Sequence, residues 1–243
     1  ASHSEGGLTI ASGNTSHAEG YLTTSIGVAS HAEGGLTIAS GDTSHAEGNI
    51  TTASGIASHA EGSNTTAIGT ASHAEGGLTT ASGDYSHVGG VGTISYNTGE
   101  WGMSSGPQTF GKKDQYGSLS FAGNTTGNTI TEVFVGGIAS ERMPVPNNSA
   151  RYCRLYATAI ETTSTTGATK QFLGDGLIKN ITGTTVMVGT LTMASTYGDP
   201  ALAAATITVT ADDTNDSLKI EVTGIAATNI NWFIRLDYEQ VQI

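Results

Sequence analysis

Seven histidines, His3, His17, His31, His45, His59, His73 and His87, recur at intervals of fourteen residues, each directly after a serine. From the second copy to the sixth the wording is Ser-His-Ala-Glu-Gly, so Glu19, Glu33, Glu47, Glu61 and Glu75 keep the same period. An imidazole and a carboxylate two residues apart share one face of a strand, because side chains alternate along extended backbone. Stacked in register, His17, Glu19, His31, Glu33, His45 and Glu47 present columns of nitrogen and oxygen donors. One chemistry for such columns is metal binding, since these are zinc-type ligands. The other is a hydrogen-bonded His–Glu lattice that holds coils in register. A ladder offers its ligands in parallel rather than at one point, which favours the lattice over the metal, and no cofactor is expected. A carboxylate column also repels itself, so the segment should respond to pH near the ordinary histidine value of about 6.5.

Other chemistries find weaker footing. Each serine is adjacent to its histidine and so points to the opposite face, which rules out a Ser–His–Asp relay. The threonine column (Thr9, Thr23, Thr37, Thr51, Thr65, Thr79, Thr93) is expected inward, not paired outward as an ice-binding face requires. Asp212, Asp213, Asn215 and Asp216 could hold calcium, but no glutamate completes the loop, so a hairpin turn is the better reading. Nothing marks a glycan-cleaving carboxylate pair, and the chain is expected to be a fibre or binding protein rather than an enzyme. The single Cys153 excludes an intrachain disulfide and reads as a small buried hydrophobe.

The elements that carry the ladder follow from the rest of the repeat. Blocks such as Thr9-Ile10-Ala11-Ser12-Gly13 and Ser16-His17-Ala18-Glu19-Gly20 share a seven-residue plan of Ser or Thr, any residue, Ala, any residue, Gly. Ala18, Ala32, Ala46, Ala60 and Ala74 are placed inside a thin coil, where only small side chains fit, and each glycine is read as a positive-φ turn. Seven residues cannot hold a helical crossover, so the strands must stack as a parallel β-solenoid over residues 1–97. Leu8, Leu22, Leu36, Ile50 and Leu78 form an apolar outer column, widened by Ile10, Ile26, Ile38 and Ile68. An interior of Ala and Ser buries little apolar surface at about 25 cal/mol per Å², so the column should pack against copies of itself. Trp101 falls where an eighth histidine would stand and, with Tyr96 and Phe110, is read as a cap.

Charge divides the chain. Residues 1–111 carry nine acids and no Lys or Arg, within a total formal charge of −12. That argues against nucleic acid as a partner, and no apolar run is long enough for membrane insertion. Residues 98–117, with Pro107 and Lys112-Lys113, read as a Gly-rich neck. From 118 to 243 short alternating strands follow: Ile130 to Val135, Arg151 to Ile160, Thr185 to Met193, Thr206 to Thr210, Leu218 to Val222 and Asn231 to Ile243. With no helical layer, they indicate an all-β protein whose C-terminal half is an antiparallel β-sandwich, jelly-roll-like. The chain begins inside a repeat, which suggests a processed form or a fragment.

The seven-residue half-period resembles the head repeats of trimeric autotransporter adhesins, and the Ser-His-Ala-Glu-Gly wording is similar to repeats of bacteriophage tail and fibre proteins. The second half resembles a C-terminal domain of such fibres through Gly176-Leu177-Ile178-Lys179, Val209-Thr210-Ala211-Asp212, Leu218 through Gly224 and Asn231-Trp232. The resemblance implies a left-handed roll and a homotrimer. It also implies a place in the virion beside other virion proteins, after assembly in the host cytoplasm, and a tip that binds a host-surface glycan or protein. Capsid decoration, a purely structural fibre segment and a bacterial surface adhesin are the alternatives.

Overall fold

The computed structural model describes residues 1–104 and 114–242 and divides the chain into two compact units, 1–115 and 116–243. The part of the expected neck from 105 to 113, with Pro107, Phe110, Lys112 and Lys113, lies outside the described residues.

The first unit is a parallel β-solenoid of about seven turns. Each coil has a long strand beginning at the histidine, such as His17–Tyr21, and a short one, such as Thr24–Ser25. Long strands stack on long strands and short on short, with like residues in register: His17 on His31, Ala18 on Ala32, Glu19 on Glu33. The five repeat alanines Ala18, Ala32, Ala46, Ala60 and Ala74 are fully buried, as are Thr23, Thr37, Thr51, Thr65, Thr79 and Thr93. The serines complete the interior: Ser16 and Ser30 donate through Oγ to Gly13 and Gly27 carbonyls at 2.8 Å. Methyl and hydroxyl groups therefore fill the coil, and larger side chains can only point out.

The turns differ from expectation in one respect. The glycine that closes each long strand has positive φ, +112° at Gly20. The glycine seven residues on does not, and close approach alone requires it. A methyl group at Gly27 would overlap the carbonyl oxygen of Gly41 in the next coil. The left-handed corner positions are held instead by Leu8, Leu22, Leu36, Ile50, Asn64 and Leu78 (φ 55° to 59°), and by Thr15, Ala29, Thr43, Ala57, Ala71 and Tyr85.

The second unit is built from antiparallel strands: β1 (Gln115–Thr126), β2 (Ile130–Val135), β3 (Met143–Pro144), β4 (Ser149–Glu161) and β5 (Thr169–Ile181) come first. They are followed by β6 (Thr184–Val188), β7 (Ala194–Gly198), β8 (Thr206–Asp212), β9 (Ser217–Thr223) and β10 (Asn229–Gln242). β4 is the centre of one sheet, paired with β5 on one side and β10 on the other. β9 is the centre of the other, between β8 and the strands β2 and β3. One apolar core draws on both, with Leu155, Ile178 and Ile234 from the first and Ile220, Val222 and Val209 from the second. A 3-10 turn at Pro200–Leu202 is the sole helical piece among the described residues. The strand expected from Thr185 to Met193 ends at Val188, because Gly189 turns the chain at φ +84°.

Candidate functional site

The outer face of the long strands carries the histidine and glutamate columns. Rings of His17, His31, His45, His59 and His73 stack at 4.8 Å and within 5° of parallel. This is the coil repeat imposed by backbone hydrogen bonding. The column loosens at its ends: His3 stands edge-on to His17, and His87 is tilted 51° from His73.

Partnering changes along the column. Nε2 of His17 and His31 faces the carboxylate of its own coil, at 3.8 Å to Glu19 and 3.7 Å to Glu33. Further on the imidazole reaches back one coil: His59 to Glu47 at 3.3 Å, His73 to Glu61 at 3.1 Å and His87 to Glu75 at 3.3 Å. Nε2 of His17, His31 and His45 is shielded from solvent and makes no hydrogen bond among the described residues.

Burial, followed by repulsion from the stacked neighbours, pushes His45 and His73 below the ordinary histidine value, with carboxylates opposing. Glu19 is raised because it shares hydrogen bonds with Glu33 and Glu5 on either side, while the His3 imidazole lowers Glu5. Neutral imidazole beside carboxylate is the form in which both serve as metal ligands. Donor atoms approach one another within 4.8 Å in four groups: His3–Glu5–His17, His31–Glu33–His45, His45–Glu47–His59 and Glu61–His73–Glu75. A shallow groove of about 620 Å³ runs beside them, lined by Glu5, Glu19, Glu33 and the strand-end glycines.

The apolar column stands at one corner of the coil. Leu8 is 70% exposed, Leu36 48%, Ile50 45% and Leu78 59%, while Leu22 is half-buried. Ile10, Ile26, Ile38 and Ile68 on the short-strand side are also exposed. Trp101 begins strand Trp101–Ser104, pairs in register with His87 and is 40% exposed.

In the second unit the Asp212–Asp216 segment joins β8 to β9. Asp212 accepts from the Thr214 and Asn215 backbone N–H groups, and the Thr185 backbone N–H and hydroxyl donate to Asp213 and Asp216. Its carboxylates are committed to fastening the turn. Cys153 is buried, and burial pushes its thiol up to about 12.

Sequence reasoning missed Arg151, which is fully buried in β4. Its Nε donates to Gln240 Oε1 at 2.8 Å and its guanidinium lies 4.4 Å from the Tyr238 ring centre, while neither Nη makes a hydrogen bond among the described residues. The signal was available: Arg151 has the parity of Cys153, Leu155 and Ala157, all inward.

No family model and no curated protein matches the chain. Among solved structures it is similar to tailspike protein gp49 of Acinetobacter baumannii bacteriophage Fri1, a capsular polysaccharide depolymerase. That match has 9% identity and a TM-score of 0.29, over 93% of this chain and 47% of that one. It is also similar to the tailspike of Acinetobacter baumannii phage AM24, at 9% identity and TM-score 0.24, over 95% of this chain and 50% of that one. The chain spans about half the length of these tailspikes, and at such scores no residue's role passes from one to the other. The expectation that the chain is not an enzyme is corrected on this finding, since one neighbour is a depolymerase. The expectation rests on the histidine placement and on the lack of any marked carboxylate pair, and a pair brought together by folding carries no mark in the sequence.

Proposed function

We propose that this chain is a segment of a phage virion fibre or tailspike, in which three copies associate along the roll and the C-terminal unit recognises a host-surface glycan or protein. The carrying observation is the conformation of the corner column. A left-handed backbone costs a non-glycine residue about 1–2 kcal/mol, and a β-branched one such as Ile50 more. Asn64 occupies this corner too, and asparagine accepts that backbone at lower cost. Leucine and isoleucine standing there, strained and exposed, are explained if a neighbour covers them, each covered side chain gaining about 1.5–3 kcal/mol. The repeat wording supports a phage fibre over a bacterial adhesin.

In this reading residues 1–97 are the shaft, 98–117 the neck with Trp101 as part of its cap, and 118–243 a β-sandwich whose loops meet the host. The Ala18-to-Ala74 file is the shaft's interior and the Leu8-to-Leu78 column its seam. Light scattering on the full chain tests the trimer. Binding of the full chain to host cells, and its loss after enzymatic removal of surface polysaccharide, tests recognition of a glycan. Binding that survives polysaccharide removal would point to a protein receptor, and no binding to a purely structural segment.

A further inference from the structure

The His–Glu face gathers carboxylates with no Lys or Arg side chain from its own part of the sequence beside them. Glu5, Glu19, Glu33, Glu47, Glu61 and Glu75 stand one coil apart in a unit whose first 111 residues hold no Lys or Arg. The groups facing them on that surface are the imidazoles of the same column. Stacking at 4.8 Å makes it costly to charge several of these at once, because each imidazolium would lie against the next. A cation from outside, held between the carboxylates and imidazoles of adjacent coils, would lower the repulsion along the column. Three solvent-shielded Nε2 atoms, of His17, His31 and His45, have no hydrogen-bond partner among the described residues.

The donor spacing suits a small ion. Donors at about 2.0–2.1 Å around a tetrahedral zinc lie about 3.3 Å apart. The imidazole–carboxylate distances across coils are 3.3 Å at His59–Glu47 and 3.1 Å at His73–Glu61. Reaching from one coil to the next also answers the objection that a ladder offers only parallel ligands. Mixed nitrogen and oxygen donors select zinc-class ions over calcium or magnesium, which take oxygen alone.

We propose that the His–Glu face of the roll is a row of divalent transition-metal sites, each held by imidazole Nε2 and carboxylate oxygens from adjacent coils. Glu61–His73–Glu75 is the strongest of them, because its two carboxylates balance the ion's charge. His45 belongs to two of the four donor groups, so at most three of the four fill together. An ion bridging coils locks their register, a role independent of what the C-terminal unit binds.

Zinc chloride titrated by calorimetry into the chelator-stripped full chain tests this. More than one and no more than three ions should bind per chain, and the melting temperature should rise. Calcium chloride at the same concentration should do neither. H73Q and the double variant E61Q/E75Q should each remove one ion or weaken its binding about tenfold or more. Glu239→Gln, exposed in the second unit, should change nothing. Circular dichroism checks the fold of each variant, and X-ray absorption on the zinc-loaded chain should report nitrogen and oxygen donors at about 2.0–2.2 Å. Absence of zinc heat, equal binding of calcium, or zinc binding by both variants as by the parent chain would overturn the proposal.

Discussion

His59 pairs with Glu47 of the preceding coil, 3.3 Å from Nε2 to Oε1, while its ring stacks at 4.8 Å on both His45 and His73. One side chain thus ties two coils through a carboxylate and three through ring contact.

The pH response follows from the sign of the histidine shifts. His45 and His73 lie below the ordinary value, through burial and then their charged neighbours. As pH falls, the unfolded chain takes up protons first. The stability these groups contribute is whole above about pH 6.5 and is lost as pH falls through their folded values. Glu19, raised by Glu33 and Glu5, works the other way, becoming more favourable as pH falls through its own folded value. The melting temperature of the chelator-treated chain should drop between about pH 7.5 and 5.5. An unchanged value across that range would refute a role for the ladder's protonation.

Close coil stacking predicts that a roll glycine is harder to replace than a loop glycine with positive φ and open space. Gly41→Ala drives a methyl group into the Gly55 carbonyl oxygen and should cost at least about 1–3 kcal/mol. Gly167→Ala, at φ +59° with nothing nearby, should cost about 1 kcal/mol. Chemical denaturation of the two variants orders them; equal effects would contradict the stacking argument.

Arg151 offers a test in the second unit. Breaking a buried ion pair is costly, but a buried guanidinium whose Nη groups make no hydrogen bond among the described residues is itself a liability. Arg151→Met keeps the packing on Tyr238 and should be neutral or stabilising by up to about 4 kcal/mol, whereas Arg151→Ala leaves a cavity and destabilises. Thermal unfolding distinguishes them, and an R151M variant less stable than R151A would reverse the argument.

Cys153, with its thiol raised to about 12 and its side chain buried, should resist an aromatic disulfide reagent in the native chain at about pH 8 and react fully in denaturant. Rapid native labelling would place it at an accessible site.

How much was legible depended on period. The fourteen-residue spacing of the histidines was enough to place Ala18, Thr23 and Ser16 inside and His17 and Glu19 outside, since strict repetition leaves one register. It could not tell a glycine with positive φ from one required by close approach alone, because both appear as glycine. Strands β2, β4, β8, β9 and β10 showed themselves by alternation. β5 did not, because Gly174 and Gly176 break its pattern. Both lie against Leu191, which leaves no room for a larger side chain. The reach of His59, His73 and His87 to the preceding coil was hidden too, since identical repeats carry no sign of which neighbour each side chain chooses.

The corner column gives one more discriminating substitution. Leu36→Asn relieves left-handed strain of about 1 kcal/mol or more. In an isolated roll it should raise stability, whereas along a seam it should weaken association and lower the melting temperature in a concentration-dependent way. A uniform gain in stability would place Leu36 outside any interface.

In the proposed function the strained column of Leu8, Leu22, Leu36, Ile50 and Leu78, exposed but for the half-buried Leu22, is covered by copies of itself. Native mass spectrometry of the full chain measures this directly. A species of three times the chain mass, dissociating when Leu36 and Ile50 are both changed to aspartate, is the predicted result. A monomer at micromolar concentration, unaffected by those changes, would contradict it.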